Sequence, residues 1–391
     1  MTISESRRYY YIDWLRVFAI LVVFLFHNAR FFDFEDWHVK NAETSLGFTI
    51  FIVFTAQWIM PLFFILSGLS TYYAMRFQTI GKYVWSKVLR LVVPLTAGMF
   101  THAAYQVYLE RLTHGDFTGS FLEFLPHYFK GAYGLGGNFA WMGLHLWYLE
   151  MLFVFSLLML PFFLWLRSRW MEPIISWLAG WLAKSGVIFL LAIPAVIMKL
   201  ISDTQNNILG AEHWGGWSML AHLAFFVTGY FIALDVRLIS SIEKHRIVAL
   251  VMALIAFVAL YFCRQSLAGE RFLHTPAGSI VRVLHSWFWL IAMMGFAHKY
   301  LTSTNGFLRY ANEAVLPFYI MHQTIILVIG YYIVQLNTPI MVKYMLVVML
   351  SFTAIAALYE PLIRRFNVLR FLFGMKVKTS PHKSSASKLT H

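Results

Sequence analysis

Apolar residues in this chain recur in runs near twenty residues long, separated by short polar stretches, from one end of the sequence to the other. A run of that length crosses a hydrocarbon core about 30 Å thick as a helix. Helices are predicted at about 12–32, 46–74, 88–109, 144–166, 184–201, 215–234, 246–263, 279–298, 314–335 and 340–361. Inside lipid a backbone must satisfy its own hydrogen bonds, and these runs are far too long for the strands of a membrane barrel. The predicted fold class is therefore all-α, a polytopic membrane helix bundle of about ten transmembrane helices. Residues 170–183 follow another rhythm. There Trp170, Ile174, Ile175, Trp177, Leu178 and Trp181 form an amphipathic pattern suited to a helix lying at headgroup depth.

Composition agrees with that picture, and charge adds an orientation. Of 391 residues, 60% are hydrophobic and 13% charged, against about half and a quarter in a soluble domain. A net charge of +13 raises the question of a nucleic-acid partner. Its placement argues for a bilayer instead. With the N-terminus inside, most Lys and Arg residues fall in alternate loops, from Arg7 and Arg8 through Arg76, Lys82, Lys87 and Arg90 to the stretch between Arg364 and Lys388. That is the positive-inside distribution, so both termini are expected in the cytoplasm and no nucleic acid as a partner. The single cysteine, Cys263, allows no internal disulfide and no Cys-based metal site. The first run carries Arg16 and His27 and lacks a small-residue cleavage site, so it is expected to be a retained span rather than a signal peptide.

Candidate chemistry begins at His27, about two helical turns from the outer end of the first span. An ionisable side chain at that depth is costly and points to a functional site; the structural alternative is a bundle-facing His bonded to a neighbouring helix. Arg16 lies eleven residues earlier, which at about 100° per residue puts both within about 20° of one face. Asp13 and Arg30 fall near the same stripe. Two other deep ionisable positions, Glu150 and His322, sit on helices with no sequential relation to the first. His145 and Trp147 open the fourth helix as interface anchors or site residues, and Tyr319 shares a face with His322 by i,i+3 spacing. Lys87 and Arg90 share a face in the same way and make a basic mouth with Lys82. That mouth suits phosphate, although ordinary positive-inside charge explains most basic residues at such places. Near Tyr359 and Glu360, helix capping or a salt bridge to a nearby Arg is the expected role. The connection 110–143, rich in glycine and aromatics, is read as a lid or sugar-facing surface or as a plain connector. Phosphate-loop, zinc-protease and nucleophile-elbow motifs are absent, and no histidines have ligand spacing on one helix, so no metal is expected.

Taken in order, Ile12-Asp13-x-Leu15-Arg16 with His27 eleven residues on, Phe63-Phe64-x-x-Ser67-Gly68, the basic pair before Pro94, His145-Leu146-Trp147-Tyr148-Leu149 and Phe318-Tyr319-Ile320-Met321-His322 resemble the acyltransferase-3 group of membrane acyltransferases. The resemblance covers residues 1–375 as one transmembrane domain and leaves 376–391 as a disordered basic cytoplasmic tail. One position departs from the group's usual Arg-x-x-Arg. Here it reads Lys87-Val88-Leu89-Arg90, which keeps the charge and loses one bidentate fork.

The resemblance implies a multi-pass protein of the bacterial inner membrane. Its implied activity moves an acyl group, succinyl or acetyl, from cytoplasmic acyl-CoA to a hydroxyl of a periplasmic or extracellular glycan. Acyl-CoA would then be a donor substrate, with no permanently bound cofactor. Lys87, Arg90 and Arg16 would hold donor phosphates. His27 would act as general base, with an acyl-His as the variant, and Asp13 would support Arg16. Trp37 and His38 would meet the sugar, while His145, Trp147, Tyr148, Glu150, Tyr319 and His322 would line the pocket. Arg30 is one candidate cation for a succinyl carboxylate. The rival reading is a transporter or flippase moving a glycan intermediate or protons, and the oligomeric state is left open.

Overall fold

The computed structural model describes residues 9–205, 207, 210–212 and 214–378. Arg7, Arg8 and the tail beyond Lys378, used above for topology, lie outside the described residues. The described chain is helical, with isolated bridges and no strand.

The first span is α1, Tyr10–Ala29. Next, α2 (Leu46–Ala56) leads after a two-residue break into α3 (Ile59–Phe77), together a 32-residue apolar stretch. A short α4 (Ile80–Lys87) joins α5 (Val93–Phe100) through a π turn, Val88–Val92. Pro94 gives the reason, because it has no amide to offer the Arg90 carbonyl and the helical ladder must re-register there. Between α5 and α6 (Ala103–His114) the path bends by 43°. A reciprocal capping box between Ser120 and Glu123 starts α7 (Phe121–Tyr128). The chain then bends by 50° between α8 (Trp147–Leu158) and α9 (Leu160–Leu166), beside Pro161.

In the predicted interfacial segment, α10 (Met171–Leu182) buries Met171, Ile175, Ala179 and Leu182 on one stripe and exposes Trp170 and Trp177 on the other. It turns by 120° into the segment that ends as α11 (Ile193–Asp203). The remaining helices are α12 (Met219–Leu234), α13 (Val236–Arg264), α14 (Leu267–Leu273), α15 (Pro276–Tyr300), α16 (Gly306–Ile333), α17 (Ile340–Leu358) and α18 (Asn367–Leu372). The N-termini of α13 and α16 are capped by the side chains of Asp235 and Asn305, which accept from backbone amides. All ten predicted segments fall on helices. Six are long and apolar enough to cross a membrane, or up to nine if each bent pair is one span; the predicted ten also counts α12, which at 16 residues is shorter than the others.

Helix α1 is the hub. It packs on α2, α3, α15, α16 and α17, and it feeds two apolar cores, with Leu15, Ala19 and Ile20 in one and Phe24 in the other. Against it, α3 crosses α12 backbone to backbone at Gly68 and Gly229. A Cβ on Gly68 would sit 2.0 Å from the Phe226 carbonyl oxygen, and one on Gly229 2.1 Å from that of Ile65. This approach sets the place of Ser67, which bonds the Tyr148 hydroxyl, and of Ser70, which meets Arg16 of α1.

Candidate active site

The face of α1 that carries Arg16, Ile20, Val23 and His27 lines a cavity of about 1050 Å³, at the upper end of what small-molecule sites occupy. Arg16 stands near one end. Its guanidinium bonds Asp13 at 3.3 Å and reaches the Ser70 hydroxyl on α3. The Asp13 pairing is the support for Arg16 that the resemblance implies. Lys87 and Arg90 do not line the cavity, but both lie within electrostatic reach of Arg16. Lys87 donates to the Thr71 hydroxyl at 3.4 Å and sits over the Tyr83 ring, and Arg90 is exposed on the π turn. The three cations thus gather at one end with Asp13 as a carboxylate partner.

Eleven residues along α1, His27 meets α16. The buried His322 bonds the Tyr319 carbonyl through Nδ1 at 2.6 Å and His27 Nδ1 through Nε2 at 3.0 Å. A carbonyl only accepts, so His322 Nδ1 carries the proton, His322 Nε2 is the acceptor, and His27 Nδ1–H donates to it. The tautomer of His27 is thereby set, with the lone pair of Nε2 left over. Among the described residues that Nε2 has no hydrogen-bond partner, and His27 lines the cavity.

The loop after α1 brings the next pair. Asp33 is fully buried and paired with both Arg30 and Lys40, while Lys40 also donates to the carbonyls of Arg30 and Asp33 at 2.8 and 2.7 Å. Burial pushes the Asp33 carboxyl up and the Lys40 ammonium down, against their mutual attraction. So clamped, the loop lays the Trp37 ring near-parallel to His27, 6.2 Å between centroids, and points His38 into the cavity. His38 Nδ1 pairs with the Glu110 carboxylate of α6, and its Nε2 lies 3.4 Å from the Gln323 amide nitrogen. Tyr133 donates to the same carboxylate at 2.7 Å, and burial, reinforced by Glu110, holds its phenol above the ordinary value. The 110–143 connection is thus no loose tether, since Tyr133 and Trp141 form part of the wall.

Of the other predicted pocket residues, His145, Trp147, Tyr148 and Tyr319 line the cavity. His145 is a brace. Its Nε2 bonds the Ile320 carbonyl at 3.1 Å, its Nδ1 lies 3.3 Å from the Gln106 amide, and its own carbonyl accepts from Tyr319. Tyr148 and Ser67 share a bond of 2.6 Å, and Trp147 packs between Trp214 and His222. Glu150 departs from expectation: it does not line the cavity, and one carboxyl oxygen is buried without a hydrogen-bond partner among the described residues. Arg30 departs too. Asp33, Glu35 and the Asp36 carbonyl take up its guanidinium, which leaves it no carboxylate-binding role in the cavity. Glu360 pairs with Arg364 at 2.7 Å, as predicted. Residues the sequence reading left out are Gln106, Glu110, Tyr133 and Ser70. Gln106 and Glu110 lie one turn apart on one helix face, a polar stripe that was legible in principle. Among the described residues no group of three His, Cys, Asp or Glu side chains forms a metal site.

A family model described as an acyltransferase domain matches residues 9–360. The chain is 26% identical over 388 residues to glucans biosynthesis protein C of Escherichia coli K12, covering 97% of this chain and 98% of that protein. The same protein from Escherichia coli O157:H7 matches with the same identity and coverage. No solved structure matches.

Proposed function

The chain belongs to this acyltransferase family, and from that premise we propose that it is a membrane-bound O-acyltransferase. It takes an acyl group from acyl-CoA at the Arg16 end of the cavity and passes it to a hydroxyl of a glycan at the loop end. That the chain is an acyl-transferring, multi-pass membrane protein follows from the family and from its apolar helices. The donor, the glucan-type acceptor, the direction of transfer and a place in the bacterial inner membrane are the proposal. The acceptor draws on the printed name of the relatives.

One observation carries the reading. A single cavity is lined by Arg16 near one end, by His27 with a free Nε2, and by Trp37, His38, Tyr133 and Trp141 at the other. Arg16 to His27 is about 16 Å along the helix, so a donor head held at the cations can extend a thioester arm to the imidazole. The aromatic rings at the loop end offer flat apolar faces of the kind sugars stack on. His27 Nε2 has the lone pair that acyl transfer needs, to take the hydroxyl proton or to take the acyl group itself.

The test is purified protein in liposomes, supplied with labelled acetyl-CoA or succinyl-CoA and a glucan oligosaccharide. Label on the glycan supports the reading; glycan crossing the bilayer unacylated supports the transporter instead. A second expectation concerns the basic mouth. Each charge-assisted bond to a donor phosphate is worth about 1.5–3 kcal/mol. Lys87→Ala and Arg90→Ala should therefore each raise KM for acyl-CoA by roughly 10- to 100-fold and leave kcat within about threefold. An unchanged KM with a fallen kcat takes the phosphates away from these residues.

A further inference from the structure

Resting on the acyl-transfer reading, we propose that the reaction runs in two half-reactions divided between two histidines: His27 carries the acyl group, and His38, positioned by Glu110, is the base for the acceptor hydroxyl. Both rings line the same cavity, and each has its Nδ1 engaged so that Nε2 faces inward. Their partners differ in kind.

His27 is backed by a neutral imidazole. Arg30 caps the end of its helix and His322 and His38 stand within electrostatic reach, while among the described residues none of its hydrogen bonds is to a carboxylate. His38 is backed by Glu110, which is itself held by the Tyr133 hydroxyl and by Arg111 at 3.4 Å. Gln323, from α16, offers its amide nitrogen to His38 Nε2 at 3.4 Å, a long bond that an incoming hydroxyl can replace. A base must hold a proton while the oxygen attacks, and a carboxylate behind the ring stabilises that imidazolium. His38 has this support and His27 lacks it. His27, with its free lone pair nearer the cationic end, is left as the nucleophile.

The chemistry balances as follows. In the first half-reaction His27 Nε2 attacks the thioester carbonyl, a C–N bond forms, the C–S bond breaks, and the electron pair leaves on the CoA sulfur. The Nδ1 proton of His27 moves to His322 Nε2, and the thiolate gains a proton from water at the Arg16 end. In the second, the acceptor oxygen attacks the acyl carbon as its proton passes to His38 Nε2. The C–N bond breaks, the electron pair returns to His27 Nε2, and His322 gives the Nδ1 proton back. His38 releases its proton to water at the loop end, so the sum is thioester plus alcohol giving ester plus thiol.

The test uses the full chain in detergent with labelled acetyl-CoA. Wild type without acceptor should release about one equivalent of CoA in a burst and keep label on His27 after rapid denaturation at neutral pH. His38→Gln should keep that burst, which also shows it is folded, while glucan acylation falls at least about 100-fold. Glu110→Gln should slow glucan acylation while leaving the CoA burst intact, and Glu110→Asp should recover part of the loss; a merely structural role would diminish the burst and the acylation together. Intact transfer to glucan with no burst and no labelled His27, or His38→Gln at the wild-type rate, would overturn the division of labour alone. A wild type that consumes no thioester with or without glucan would overturn the acyl-transfer reading and this inference with it.

Discussion

Replacing His27 with alanine should abolish acyl transfer, with a loss of at least about 1000-fold in kcat, since removing a group that exchanges protons or forms the covalent bond costs at least two to four decades. The ring is set for that work. His322 fixes its tautomer, Trp37 lies along its face, and its Nε2 has no hydrogen-bond partner among the described residues. The loss should appear in CoA release and in glycan acylation together, without a matching rise in KM for the donor, because the cations at the far end are untouched. Retained CoA release in His27→Ala, measured with the variant still monodisperse, would move the reacting centre elsewhere in the cavity. Changing His322 to Ala should give a milder defect, roughly 10- to 100-fold, since it frees the His27 tautomer without removing the nucleophile.

The largest expected effect on stability lies away from the chemistry. Gly229→Leu should cost well over 3 kcal/mol, beyond the usual range for overpacking, because the obstruction is backbone. A Cβ there meets Ile65 atoms at 2.1 and 2.8 Å, and the reciprocal Cβ on Gly68 meets Phe226 and Tyr230 at 2.0 and 2.6 Å. Neither helix can yield by rotating a side chain, so α3 and α12 must part. Their separation opens the packing around Phe64, Phe226 and Tyr230, all fully buried, and it shifts Ser67 and Ser70 on the cavity side. Close approach through small residues is how helices associate where lipid supplies no hydrophobic contrast. Thermal melting followed by size-exclusion chromatography should show little or no folded Gly229→Leu. Gly81→Ala, with nothing within 4 Å of the added methyl, should be neutral or slightly stabilising. Equal melting of the two would remove the crossing from the list of what holds the bundle.

The apolar helical segments were legible because lipid imposes length and hydrophobicity on a span without reference to its neighbours, although six to nine of the described helices, not ten, are long and apolar enough to cross. The breaks were less so. Pro94 signals a disturbance, but whether it yields a kink or a π turn depends on what packs around Arg90, which no local pattern states. In the site, Asp13, Arg16 and His27 were readable together because a single helix relates them by its own geometry. His322 was picked out by depth, and its contact with His27 comes from α1 and α16 packing together across some three hundred residues. Glu150 shows the limit of the same reasoning: an ionisable residue at depth looked like a cavity residue, and the helix carries it elsewhere. Glu110 shows the reverse. It seemed the start of a connection, whereas α6 continues past it and brings the carboxylate to His38.

The gathering of Arg16, Lys87 and Arg90 near one end of the cavity bears on more than a donor. A cavity that, as proposed, admits a nucleotide from one face and a sugar from the other would be a breach in the insulation of the membrane. Across that insulation a single charge gains about 2.3 kcal/mol per 100 mV. Hydronium or sodium drifting through it would drain the gradient at every idle moment between turnovers. Fixed positive charge in a narrow, aromatic-walled path repels such ions, as a lone arginine does in water-selective channels. Under the proposed transfer, the cluster that would hold an anionic donor would also act as the seal, and a chain stripped of it would be expected to leak.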